Sequence, residues 1–185
     1  MSNYRDEFLE DSYYLVSNKW FNGNMLFSSS DDYTTFILYV MEKLLEYPNI
    51  LISAYCLLPN YFYFVVKNVQ KWFDLSHFMR KIQVSYAMYL KKNHDVIKYD
   101  RWVPVFEWRF KSRLLKDDDL ENVESCVSYE PLRCGIVEDI KEWPYTSVHQ
   151  VVDTWYDYST QTHIKIYNDN RKISKKMFSE EEHLV

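Results

Sequence analysis

Apolar residues recur along this chain at two spacings, and the order of those spacings predicts its architecture. Residues 12–21 read as an opening strand rich in Tyr, Val and Trp, followed by the turn signal Asn22-Gly23-Asn24. Phe36, Ile37, Val40, Met41, Leu44 and Leu45 then recur at helical spacing behind a cap at Ser30 or Asp31, and this helix ends before Pro48. Residues 50–58 and 62–67 are two β-rich runs separated by Pro59-Asn60, a tight connection suited to antiparallel neighbours. A second long helix, opened by Asp74 or Ser76, runs through Leu75, Phe78, Met79, Ile82, Tyr86, Tyr89 and Leu90. Residues 103–115 predict a fourth strand. Asp117, Asp118 and Asp119 predict the cap of a third helix running to about Tyr129 and stopped by Pro131.

Strand, helix, strand, strand, helix, strand is the order of an α+β fold: a ferredoxin-like, split β-α-β antiparallel sheet with both long helices on one face. In such a sheet Tyr61 and Tyr63 alternate with Phe62 and Phe64, so the two phenols share one face and the two phenyl rings the other. Residues 1–150 make up this domain. Residues 151–185 form a C-terminal extension, ending in a polar stretch with Lys172, Lys175 and Lys176 before Glu180, that is either a docking helix or a frayed tail.

Composition narrows the class. At 185 residues, with 47% apolar and 18% aromatic side chains, the chain can bury one sizeable core and is not a disordered sequence. Seventeen tyrosines lower the weight of any single one as a catalyst. Cys56, Cys126 and Cys134 are odd in number and scattered, which argues for reduced thiols; Cys56 and Cys134 read as buried small side chains. Charged residues break up the opening stretch, and no apolar run reaches the roughly 20 residues that span a bilayer. The expectation is a cytoplasmic protein without a membrane partner.

A net charge of -5 argues against general nucleic-acid binding until its distribution is considered. Between Lys71 and Lys116 eleven Lys and Arg stand against four acids; eleven minus four is +7, leaving -12 for the remainder. A basic block inside an acidic chain is the footprint of a local polyanion site. Arg109, Lys111, Arg113 and Lys116 nearly alternate on the predicted fourth strand, with Trp102, Phe106, Trp108 and Phe110 interleaved. Cations neutralise phosphate, and aromatic rings stack on unpaired bases. Arg80 and Lys81 on the second helix extend the candidate DNA-binding set.

Five ordered segments carry a family resemblance. Leu58-Pro-Asn-Tyr-Phe-Tyr-Phe-Val-Val66 keeps the frame of a Pro-Asn-His-x-His strand, with Tyr61 and Tyr63 in place of both histidines. Ser85-Tyr-Ala-Met-Tyr89 resembles a Ser-Tyr-x-x-Tyr helix, and Phe106-Glu-Trp-Arg-Phe-Lys-Ser112 a Phe-Gln-Gly-Arg-Phe-Lys-Ser strand. Cys126-Val-Ser-Tyr-Glu-Pro-Leu-Arg-Cys-Gly-Ile-Val137 matches Tyr-Ile-His-Leu-Asn-Pro-Val-Arg-Ala-Gly-Leu-Val, and Glu142-Trp-Pro-Tyr-Thr-Ser147 matches the Trp-Pro-Trp-Ser-Ser segment after it. Through these segments, with a match covering roughly residues 12–148, the chain resembles the REP-associated tyrosine transposases, a branch of the single-tyrosine HUH transposases.

The resemblance implies the same ferredoxin-like fold and a reaction in which two histidines hold Mg²⁺ or Mn²⁺ on a scissile phosphate while a helix tyrosine attacks. The family's nucleophile falls on Cys126, and the amide that completes its metal site falls on Glu130. Cys126 and Glu130, at i and i+4, are expected on one side of the third helix. Cys126 itself reads as a small residue facing the sheet. A phenol with a pKa near 10 binds a cation only after losing its proton, so two tyrosines do not replace two imidazoles. The five histidines are scattered, and none forms an H-x-H or H-x-x-x-H pair.

The sequence therefore predicts no resident metal and a catalytically degenerate, transposase-like DNA-binding protein. Its expected partner is single-stranded or hairpin DNA, with a second copy of the chain as a candidate partner. The alternatives are an active nicking and joining transposase with displaced catalytic residues, or a protein-interaction module.

Overall fold

A computed structural model describes residues 8–21, 25–69, 75–93 and 104–149. The 22–24 turn signal, Asp74, Trp102 and the extension 151–185 lie outside the described residues. Four strands, β1 (Ser12–Lys19), β2 (Ile50–Leu58), β3 (Tyr61–Asn68) and β4 (Lys111–Leu114), form one sheet in the order β2-β3-β1-β4. Every neighbouring pair is antiparallel. The long helices are α1 (Ser30–Glu46) and α2 (Leu75–Asn93); α3 (Asp117–Ser128) and the single turn α4 (Glu130–Arg133) follow β4. This is the ferredoxin-like α+β arrangement expected from the order of elements.

The two-residue period of β3 divides the interior. Phe62, Phe64 and Val66 face α1 and α2 and are buried with Phe36, Phe78, Met79, Ile82 and Tyr86. Phe36 anchors this core, its ring 5.3 Å from Phe62 and 4.9 Å edge-on from Tyr86. Burying each such side chain stabilises the fold by about 1.5–3 kcal/mol relative to leaving it exposed. Tyr61, Tyr63 and Val65 face the other way, into a thinner cluster with Ala54, Cys56 and Leu58 that α3 covers through Leu120, Val123 and Val127. A register shift between Ile52 and Ala54 lets β2 serve both layers. Before it Ile52 pairs with Val66, and after it Ala54 pairs with Val65, so the bulge exchanges the faces.

Helix α1 begins one residue earlier than the sequence suggests. Ser29 is the N-cap and forms a capping box with Asp32. The buried Asp32 carboxylate accepts hydrogen bonds from Ser28 N (2.9 Å), Ser29 N (3.1 Å) and Tyr89 Oη (3.2 Å). Tyr86 Oη donates to Leu26 O at 2.8 Å. Both tyrosines of the Ser-Tyr-x-x-Tyr segment thus tie α2 to the entrance of α1.

Two predicted elements differ. The fourth strand is Lys111–Leu114 alone, because Trp108 adopts φ +42° and breaks the alternation of the segment before it. Residues 105–107 keep only isolated contacts to the end of β1 and the two residues after it, among them Phe21 N to Val105 O and Glu107 N to Lys19 O. The third helix has Lys116 at its N-cap with no side-chain cap, so Asp117, Asp118 and Asp119 fill its first turn, where they favour the helix dipole. Pro131 does not stop a helix; it sits at the start of α4, where its missing N–H costs nothing.

The Trp143 to Ser147 segment covers the outer edge of β2. Leu57 N donates to Tyr145 O, Tyr55 N to Ser147 Oγ, and Trp143 Nε1 to Leu57 O. Tyr145 also stacks on Tyr33 at 3.9 Å. Thr146 Oγ1 donates to Ser128 O at 2.7 Å, which pins the end of α3 against the same edge. Thr146→Val keeps the volume but leaves that part-buried carbonyl without this partner. It is expected to cost about 1–3 kcal/mol, read as a lower urea midpoint with an unchanged m-value.

Candidate nucleic-acid interface

Strand register places side chains in rows across the face opposite the long helices. One row runs Cys56, Tyr63, Ser17, Lys111; the next holds Leu58, Tyr61 and Lys19; a third runs Ala54, Val65, Leu15, Arg113. Directly paired residues of an antiparallel sheet project to the same side. Lys111 and Arg113 therefore share a face with both tyrosines. Since α3 lies over β2 and β3, these two cations stand beside it on the uncovered edge and are exposed.

The tyrosines themselves are half-buried. Their rings are stacked with centroids 6.2 Å apart and planes 3° from parallel. Burial raises the Tyr63 pKa first, and the nearby Glu130 carboxylate adds to it, so the phenol keeps its proton at neutral pH. Glu130 accepts from Arg133 Nη1 at 3.0 Å and from Cys134 Sγ at 3.6 Å. Cys56 is buried as expected, and burial pushes its thiol up to about 12.

Cys126 lies near the end of α3 and Glu130 opens α4, with Tyr129 as the cap between them; the Glu130 carboxylate is near enough to Tyr63 to raise its pKa. Cys126 is exposed, because the stripe of α3 that meets the sheet is Leu120, Val123 and Val127. Cys134, expected in the core, is also exposed. Among the described residues no group of three His, Cys, Asp or Glu is placed to hold a metal ion, and no helix is long and apolar enough to cross a membrane.

The remaining cations separate. Arg109 precedes β4 and donates from Nη2 to Ser76 Oγ at 2.9 Å, which ties it to the first turn of α2. Lys81 pairs with Glu46 at 2.9 Å, whereas Arg80 is exposed. Lys116 is exposed at the start of α3. Phe106 and Phe110 are core residues, while Trp108 is 85% exposed. Sequence reasoning missed Lys19, which lies opposite Tyr61 and forms an ion pair with Glu107 at 3.1 Å. Its place at the end of a strand otherwise read as core gave no signal.

Thiol chemistry checks this geometry. Alkylation at pH 8 followed by mass spectrometry is expected to modify Cys126 first and Cys134 more slowly, since burial and Glu130 raise the Cys134 pKa. Cys56 reacts only on unfolding. Its raised folded-state pKa means that stability is intact below the unfolded value near 9 and falls as pH rises from there towards 12.

No protein-family model matches the chain. It is 25% identical over 158 residues to a Haemophilus influenzae protein named as a REP-associated tyrosine transposase, covering 82% of this chain and 88% of that one. Its fold matches that of a REP-associated tyrosine transposase solved bound to a REP hairpin, with TM-score 0.65 and 15% identity over 85% of this chain and 90% of the other. In sequence along most of its length, and in fold, the chain is similar to REP-associated tyrosine transposases.

Proposed function

We propose that this chain is a transposase-like protein that binds hairpin or single-stranded DNA and has lost the cutting chemistry of its relatives. The observation that carries the reading is the row Cys56, Tyr63, Ser17, Lys111, extended by Arg113 in the next register position. Phenols stand where the resemblance places metal ligands, and cations stand on the same face. Phosphate binding needs those cations and tolerates the phenols; phosphoryl transfer needs a metal and an oxygen nucleophile. The solved relative bound to a REP hairpin supports DNA of that shape as the ligand.

The donor set at the tyrosine pair does not fit Mg²⁺ or Mn²⁺. Tyr63 holds its proton, the two rings are stacked on each other, and the Glu130 carboxylate is engaged by Arg133 and Cys134. One carboxylate beside two phenols is a poor site for a cation that prefers oxygen anions and water. Calorimetric titration with Mn²⁺ is expected to give no micromolar site. A site that disappears in Glu130→Ala would overturn this part of the reading.

Binding is tested with a labelled hairpin and a random single strand across a salt series, with and without Mn²⁺. Lys111→Ala with Arg113→Ala is expected to weaken binding and to flatten the slope of log affinity against log salt by about 0.7 to 0.9 per cation. Unchanged binding in that double variant would shift the assignment to a protein-interaction module. A covalent adduct formed by the unmodified chain would assign it to the active transposases.

Restored chemistry gives the converse test. Tyr61→His, Tyr63→His and Cys126→Tyr together are expected to yield a covalent adduct with a single strand in Mn²⁺, visible on a denaturing gel. Any one or two of these changes leave either the metal or the nucleophile missing and are expected to yield none.

A further inference from the structure

Single exposed apolar side chains are ordinary on a helix, but α2 carries two together in a cationic setting. Val84 and Met88, four residues apart, are 50% and 68% exposed. Arg80 stands one turn before them, and Lys91 and Lys92 one turn after. Beside this row α1 and α2 leave a groove of about 330 Å³, lined by Lys43, His77, Arg80, Lys81, Val84 and Ser85. Two of its cations are held from α1: Lys43 pairs with Glu42 at 2.8 Å and with Glu46 at 2.6 Å, and Lys81 pairs with Glu46 at 2.9 Å. Arg80 is exposed and has no carboxylate partner among the described residues. The groove lies on the helix side of the sheet, away from Lys111 and Arg113.

The chain itself carries a segment that complements this row. Residues 174–185 read Ser-Lys-Lys-Met-Phe-Ser-Glu-Glu-Glu-His-Leu-Val. Met177 and Phe178 are matched seven residues later by Leu184 and Val185, with Glu180, Glu181 and Glu182 between the two pairs. Seven residues are about two helical turns, so a helical reading puts both apolar pairs on one side with carboxylates beside them. The described residues end at 149, and residues 150–173 extended at about 3.3 Å each reach about 80 Å, well beyond the roughly 30 Å across a small domain. Reach therefore does not limit docking. A second copy of the chain fits this row less well, because a two-fold axis at Val84 and Met88 sets cation against cation.

We propose that residues 174–185 of this chain dock in the groove between α1 and α2, with their apolar pairs on Val84 and Met88 and their glutamates toward Arg80, Lys91 and Lys92. The inference does not depend on the DNA-binding reading. It gives Arg80 carboxylates of its own chain in place of phosphate, and it leaves the cationic face of the sheet open. Exposed ion pairs contribute little each and are screened by salt, so the apolar contacts hold the segment and the charges set its position. Tethering compensates for a weak site, since a linked segment competes at an effective concentration on the order of millimolar.

Methionine oxidation in the full chain is the test. Met88 and Met25 are 68% and 63% exposed, so an empty groove lets hydrogen peroxide convert both thioethers to sulfoxides at similar rates. Docking covers Met88. For a segment at an effective concentration of about 1 mM and a Kd of about 0.1 mM, Met88 is expected to oxidise roughly tenfold more slowly than Met25, by peptide mass spectrometry, whatever the protein concentration. Glu180→Lys with Glu181→Lys and Glu182→Lys should bring Met88 to the Met25 rate. Adding Arg80→Glu and Lys92→Glu to that variant should restore most of the protection. The glutamate variant changes nothing among the described residues, so its result stands alone if the charge swap fails to fold. Equal oxidation of Met88 and Met25 in the parent would overturn the proposal. So would protection that survives the glutamate changes, which assigns the groove to another partner, or protection that grows with protein concentration, which assigns it to a second copy.

Discussion

The structure depends on β3 keeping an unbroken two-residue period while buried on both sides. Phe62, Phe64 and Val66 commit one face to the slab under α1 and α2, and Tyr61, Tyr63 and Val65 commit the other to the layer under α3. A slip by one residue would put phenols into the main core and phenyl rings against α3. The central pairing with β1 and the bulge in β2 both serve that single register.

The two layers are unequal, and this bears on the candidate interface. The first is closed by two long helices. The second is closed by a twelve-residue helix with a strongly acidic first turn, and only its Leu120, Val123 and Val127 stripe meets the sheet. Half of that face is therefore core and half is open surface: the stacked tyrosines fill the closed part, while Lys111 and Arg113 occupy the open part. A phenol suits the boundary, since its ring can be buried while its hydroxyl keeps a proton. An imidazole in the same position would bring a neutral nitrogen donor near the Glu130 carboxylate, whose charge is felt at Tyr63.

The regular elements were legible because they obey simple periods. Helical spacing from Phe36 to Leu45, alternation across residues 61–66 and the short Pro59-Asn60 connection specify β1-α1-β2-β3-α2 almost completely. The segment that failed is the one where geometry departs from propensity. Residues 103–110 are as aromatic as a strand, but the left-handed turn at Trp108 sends Arg109 to α2 and leaves Lys111 and Arg113 on the tyrosine face. Nothing in the identity of a tryptophan announces positive φ. The break at Tyr129 was hidden in the same way, because Pro131 reads as a helix stop and acts instead as a helix start, which puts Cys126 on α3 and Glu130 on α4. The Trp143 to Ser147 segment was legible as a motif but not as a partner of β2, since contacts across some 90 residues leave no local pattern.

That segment has a consequence for how the sheet can meet its surroundings. By occupying the outer side of β2 at residues 55–57 it closes that part of one edge of the sheet, while the other edge is the four-residue β4, which carries Lys111 and Arg113. A sheet with two bare sides can template a fibre, one copy after another. A strap along part of one side and a short, charged strand at the other both work against such stacking, because neither presents a long bare backbone to a second copy.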